Sequence, residues 1–184
     1  KVEFNQAAVE SLLRENNVPV WGKERPATLM LITLDSGRSL AMVSADGAPR
    51  TLNALEQEAM RKGLPVLFPL MDLEDRRILN EPSRAPLADD VIEAVAARYS
   101  PDAVLVGKML ERSGRWRGEW EMRLGNRQFH WDFSGQSRAD TIQNLMHRLA
   151  NTLATEYALQ GSVAAGEDIL LGVAGLRRIT DMTQ

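Results

Sequence analysis

The sequence predicts an α/β domain of the α+β kind: a mixed sheet of about five strands, closed by a C-terminal β-meander hairpin, with helices packed on its Trp-rich face. Three observations predict it. Predominantly apolar runs at Thr28 to Leu34, Pro65 to Leu70 and Ala103 to Leu110 read as strands, the first two buried on both sides. Helical stripes lie between those runs, which is the pattern of parallel crossovers. Ser113-Gly114 and Gly125-Asn126 then sit between alternating segments, as two-residue hairpin turns do.

Taken in order, residues 3 to 16 predict a first helix, with Phe4, Ala8, Leu12 and Leu13 on one side and Asn16-Asn17 at its end. The first strand follows, then a turn at Asp35-Ser36-Gly37 and a short strand from Ser39 to Val43. Leu52, Leu55, Ala59 and Met60 mark a helix stopped by Gly63, ahead of the Pro65 strand. Residues 80 to 87 hold Pro82 and Pro86 and read as a loop. Ala88-Asp89-Asp90 opens a helix with carboxylates at its positive end, and Val91, Ile92, Val95 and Tyr99 are its stripe. The last long helix begins with Ser137 and Asp140 as a capping pair and carries Ile142, Leu145, Met146, Leu149, Leu153 and Tyr157.

The two hairpin turns fix a register. Trp120 is set opposite Trp131, Met122 opposite Phe129, Gly118 opposite Phe133, and Gly107 opposite Trp120, all on one side. The other side carries Arg123 with Gln128, Glu121 with His130, and the row Lys108, Glu119, Asp132. Five of the ten aromatic residues (Trp116, Trp120, Phe129, Trp131 and Phe133) therefore concentrate on one sheet face, where aliphatic neighbours favour packing under helices. A glycan-stacking platform is the alternative reading of that cluster. On the polar face, Lys108 and Arg117 are expected to balance the carboxylates, against a metal site built on Glu119, Glu121, His130 and Asp132.

Composition narrows the function classes. The chain has 184 residues, 22 basic and 25 acidic side chains, a net charge of -3 and a mean hydropathy of -0.26. This balance supplies no broad positive field for a nucleic-acid backbone. With no cysteine, thiolate nucleophiles, disulfides and Cys-ligated metals are excluded. No phosphate-cradling glycine loop and no serine nucleophile elbow is present, and only two histidines, His130 and His147, are available. The longest apolar runs are about a third of the ~20 residues a membrane helix needs.

The most concentrated polar feature is Met71-Asp72-Leu73-Glu74-Asp75-Arg76-Arg77, read as a loop past the carboxyl end of a strand, where open α/β sheets place ligands. Asp72, Glu74, Asp75 and Arg76 are the candidate binding residues, and replacement of Asp72, Glu74 and Asp75 by alanine is expected to leave the fold intact. The competing readings are a divalent-metal-dependent enzyme or sensor using Asp72, Glu74 and Asp75, or a set of acids that cap the next element and pair with Arg76 and Arg77. No cofactor is implied.

Domain organisation is expected to be a single α/β domain over residues 1–165 and the start of a second, truncated β-α module over 166–184, where Asp168 to Val173 reads as a strand. The opening at Lys1 suggests an excerpt of a longer precursor.

The stretches Val18-Pro19-Val20-Trp21-Gly22, Arg25-Pro26-Ala27-Thr28-Leu29, Gly63-Leu64-Pro65-Val66-Leu67-Phe68-Pro69-Leu70-Met71-Asp72-Leu73-Glu74-Asp75 and Tyr99-Ser100-Pro101-Asp102-Ala103-Val104-Leu105-Val106-Gly107 resemble a bacterial family, domain of unknown function 2066. The resemblance implies a Gram-negative protein with a secretion signal, further chain after this domain, and no assigned activity. The element order is also similar to the α/β modules of envelope proteins such as the amino-terminal domain of TolB and the lipoprotein activators of penicillin-binding proteins. What these likenesses imply is a non-catalytic periplasmic module whose partner is another envelope protein.

Overall fold

The structure, a computed structural model, describes residues 25–79 and 82–164 and the isolated positions Ala8 and Leu12, with backbone only over 158–164. Of the expected helix over 3 to 16 only Ala8 and Leu12 are described, both helical and exposed, and the expected second module over 166–184 lies outside the described residues. The elements are β1 (Thr28–Asp35), β2 (Leu40–Met42), α1 (Pro49–Lys62), β3 (Val66–Leu67), α2 (Leu73–Leu79), α3 (Asp89–Tyr99), β4 (Ala103–Arg112), β5 (Arg115–Leu124), β6 (Arg127–Gly135) and α4 (Arg138–Ala164). They form an open, mixed, six-stranded sheet in the order β2-β1-β4-β5-β6, with β3 alongside the start of β1. β1 runs parallel to β3 and β4, and the remaining pairs are antiparallel.

β1 is apolar at nearly every position because both of its faces are covered. Met30 and Ile32 face α1 and α4, while Leu29 and Leu31 face α2 and α3. Helices thus lie on both sides of the sheet: α1 and α4 on the Trp-rich face, as expected, and α2 and α3 on the other, as strands buried on both sides require. The α4 stripe is as expected: Ile142, Leu145, Met146, Leu149 and Leu153 are at most 2% exposed. Each such side chain contributes roughly 1.5–3 kcal/mol of burial. Ser137 caps this helix, its Oγ accepting from the Asp140 N–H at 3.1 Å.

Local chemistry sets the ends of α1. Pro49 begins it, and Gly63 ends it in the left-handed region at φ 64°. The Leu64 N–H reaches the Ala59 carbonyl at 2.9 Å and the Gly63 N–H reaches Met60 at 3.0 Å, while Arg25 donates to the Lys62 and Gly63 carbonyls. Met60, counted in the buried stripe from sequence, is instead 80% exposed. The expected strand from Pro65 to Leu70 shrinks to Val66 and Leu67. Pro65 and Pro69 have no N–H to give a ladder, and the chain leaves the sheet there.

The meander follows the expected register at every position, including Trp120 opposite Trp131 and Glu121 opposite His130. Ser113 and Gly114 both take positive φ, 53° and 76°, as a tight hairpin turn requires. Trp120 is 3% exposed, and its ring lies across the two glycines beside it. A Cβ on Gly107 would stand 2.2 Å from Trp120 Cε3, and one on Gly118 would stand 2.2 Å from Nε1. Phe133 sits 6.2 Å from the Trp120 ring, centroid to centroid. Trp116, Phe129, Trp131 and Phe133 pack half-buried around it, so the cluster is core and Trp120 offers no face for stacking a sugar.

Candidate functional site

Two features compete as the site, and the geometry separates them. The acidic segment, read as a loop, is a short helix. Asp72 caps α2 by accepting from the Glu74 and Asp75 N–H groups at 3.1 and 2.9 Å. Asp75 then points inward and is fully buried. Its carboxylate accepts from the Arg98 guanidinium, the Tyr99 hydroxyl (2.6 Å) and the Met71 N–H (3.0 Å). Arg98 also pairs with Asp72 at 2.9 Å and approaches Glu74 at 3.4 Å.

The acids therefore pair with Arg98 from α3, not with Arg76 or Arg77. Arg76 turns the other way, to Asp46 at 2.9 Å and the Met71 carbonyl at 2.6 Å. The Asp72 carboxyl is held at about 2, chiefly by hydrogen bonds from Arg98 and from the Asp75 N–H. The Tyr99 hydroxyl is raised above its ordinary value by burial and by the hydrogen bond to Asp75. Met71 adopts φ 58°, a conformation that costs ~1–3 kcal/mol for a non-glycine residue, and is held from both sides by Asp75 and Arg76. The structure brings Asp72, Glu74 and Asp75 together, but around a cation of the protein's own. Asp75 is wholly buried against Arg98, so alanine at that position is expected to cost stability, whereas Asp72 and Glu74 are partly exposed.

The second feature is the polar face of the meander. α2 and α3 cover this side of the sheet over β1 and the start of β4, where Leu79, Ile92 and Val95 meet Leu29, Leu31 and Val104. Among the described residues no helix continues over β5 and β6. A groove of about 360 Å³ results, with Val106, Pro86 and Leu87 supplying apolar surface and Lys108, Glu119, Glu121, His130 and Asp132 the polar surface.

Its wall is the segment 85–87, and the wall is anchored. Arg84 donates to Asp35 at 3.0 Å and its carbonyl accepts from Lys108. Asp35, 1% exposed at the end of β1, also receives Arg112 at 2.8 Å and the Gly37 N–H at 2.8 Å. The Arg112 hydrogen bond, then the Gly37 N–H, hold its carboxyl far below the usual range despite burial.

The charges across the groove are largely paired within the sheet. Arg117 reaches Asp132 at 3.2 Å and Glu119 at 3.5 Å, Arg123 reaches Glu121 at 2.6 Å, and His130 lies 3.2 Å from Glu121. Lys108, expected to balance Glu119, spends its ammonium on the Arg84 carbonyl, and Arg117 takes that role. Among the described residues no group of three or more His, Asp or Glu is arranged to hold a metal ion. No helix of the described residues is long and apolar enough to cross a membrane.

Sequence reasoning missed the groove wall and Asp35, and it missed Arg98 and Tyr99 as partners of the acidic segment. The one signal for the latter was the adjacency of a cation and a phenol at the C-terminal end of α3.

No family model matches the chain, so the resemblance to domain of unknown function 2066 rests on the quoted stretches alone. No curated protein matches it. Solved structures do match over most of its length. A ribosomal subunit interface protein from Coxiella burnetii shares 11% identity at a TM-score of 0.37, covering 71% of this chain and 98% of that one. The LpoB C-terminal domain from Salmonella enterica shares 12% at 0.40, covering 71% and 92%. TolB from Acinetobacter baumannii shares 14% at 0.36, covering 76% of this chain and 29% of that one. LpoB and TolB correspond to the likenesses drawn from element order, and at these scores none of the three assigns an activity.

Proposed function

We propose that this chain is a non-catalytic periplasmic module that binds another envelope protein through the open face of β4, β5 and β6. The observation that supports the reading is the anchored groove: apolar surface bordered by charges already paired within the protein. Such a surface gains from covering its apolar part and loses little electrostatically when covered. It presents no cysteine or serine, so a thiol or serine nucleophile for acyl transfer is not among its lining residues. Its mixed charge suits a protein surface better than a phosphate backbone.

The test is photo-crosslinking in the native host. A photoreactive residue at Glu119 or Ala85, both on the groove, is expected to give a discrete adduct whose mass is not twice that of the chain. The same residue at Glu56, exposed on α1, is expected to give none. Adducts from neither groove position, or equal adducts from Glu56, would remove the groove as the contact surface. Release of the native protein by osmotic shock checks the compartment.

A further inference from the structure

β6 is the end strand of the sheet, and nothing among the described residues pairs with its outer edge. The opposite side of the sheet is closed by β2 and β3, strands of three and two residues. β6 runs nine residues, pairs with β5 at every position without a bulge, and contains neither Lys nor Pro. Long edges of monomeric sheets are ordinarily blunted by shortness, by charged side chains and Lys above all, by Pro, or by a bulge, because a row of free N–H and C=O groups recruits another strand. β6 is neither short nor bulged and holds no Lys or Pro; its charged residues are Arg127 and Asp132.

The sequence of β6 is complementary to itself. It reads Arg127-Gln128-Phe129-His130-Trp131-Asp132-Phe133-Ser134-Gly135. An antiparallel copy aligned on Trp131 sets Phe129 opposite Phe133 of the second copy, His130 opposite Asp132, Gln128 opposite Ser134, and Trp131 opposite itself. Aromatic pairs then fall on the helix face and a His–carboxylate pair, made twice, on the groove face. His130 and Asp132 are 65% and 72% exposed and have room for it. Alignment on Asp132 would oppose two carboxylates, and alignment on His130 would oppose two imidazoles and set Arg127 against Phe133. Only the Trp131 alignment joins unlike charges and rings at once.

We infer that β6 pairs antiparallel with β6 of a second copy about a two-fold axis at Trp131, making one continuous sheet across a homodimer. The contact is isologous, so it closes at two copies. It places the two grooves on the same face of that sheet, and it stands whether or not the grooves bind an envelope protein.

Sedimentation velocity over a concentration series, with a charge-swap pair, tests it. The parent protein is expected to show a concentration-dependent monomer–dimer equilibrium. His130→Asp opposes two carboxylates at both symmetric contacts and is expected to weaken the dimer by about tenfold. His130→Asp with Asp132→His restores the unlike pairs and is expected to restore the dimer. The register is read separately in this cysteine-free chain: mixing Gln128→Cys protein with Ser134→Cys protein should yield a disulfide-linked pair containing one of each, well above either alone. Circular dichroism establishes that every variant is folded. A parent that stays monomeric at millimolar concentration overturns the inference. So does a dimer indifferent to His130→Asp, or a Gln128→Cys protein that links to itself as readily as to its counterpart.

Discussion

The Tyr99 hydroxyl donates to the buried Asp75 carboxylate at 2.6 Å and accepts from the Leu70 N–H at 2.9 Å, so one phenol ties the end of α3 to α2 and to the segment leading into it. Arg98, the neighbouring residue, completes the clasp by pairing with Asp75 and Asp72. The acidic segment thus joins α2 to α3, with its Asp72 and Asp75 carboxylates paired to Arg98.

Tyr99→Phe removes one donor from Asp75 and one acceptor from Leu70. The expected loss is ~1–3 kcal/mol of unfolding free energy, measured by urea denaturation. Arg98→Ala is expected to cost more, because it leaves a wholly buried carboxylate without its cation. If Arg98→Ala proved neutral, the clasp would not be a stabilising element.

Acid should weaken the fold through Asp35 and Asp72. Both carboxyls are depressed in the folded chain, below the ordinary 3.8 that the unfolded chain regains, and Asp72 lies at about 2. Their stabilisation is complete above about pH 4 and is lost as pH falls toward 2 and below, since the unfolded chain takes up protons first. Urea midpoints at pH 6, 4, 3 and 2 check this. Asp35→Asn should flatten the slope, and an unchanged slope would assign it elsewhere.

Gly107→Ala and Gly118→Ala each force a methyl against the Trp120 ring. Overpacking of this kind costs about 1–3 kcal/mol. The melting temperature should fall for both, and less so when Trp120→Leu is combined with either. Equal penalties in the two backgrounds would point to backbone rather than ring contact.

Iodide quenching of single-Trp variants should rank the cluster by burial. Trp120 is expected to be the least accessible, with Trp116 and Trp131 intermediate. A readily quenched Trp120 would return the cluster to the role of a stacking platform.

Ser137→Ala removes the oxygen that accepts from Asp140. A loss of about 1 kcal/mol is expected in denaturant melts, with Ser137→Asp retaining most of the stability.

The meander was fully legible because its determinants are local. Two turn dipeptides set the register, and a period of two then assigns every side chain from Gly107 to Phe133 to a face. The α4 stripe was legible for the same reason at a period of 3.6. Pro65 and Pro69 were visible too, but their apolar neighbours outweighed the missing N–H groups in the reading of β3. The acidic segment was found as a feature and misread as a loop, since a seven-residue helix is too short to show a period.

By itself, then, the sequence determined the class of fold, the hairpin register, the Trp-rich core face and the absence of thiol chemistry. Tertiary structure alone decided that Asp75 meets Arg98 across 23 residues, that Asp35 meets Arg84 across 49 and Arg112 across 77, and that segment 85–87 walls a groove. Turn and period act through neighbours on one stretch of chain. An ion pair or a groove wall depends on where two separately built elements come to rest, and that is set by how their apolar faces pack on the sheet between them.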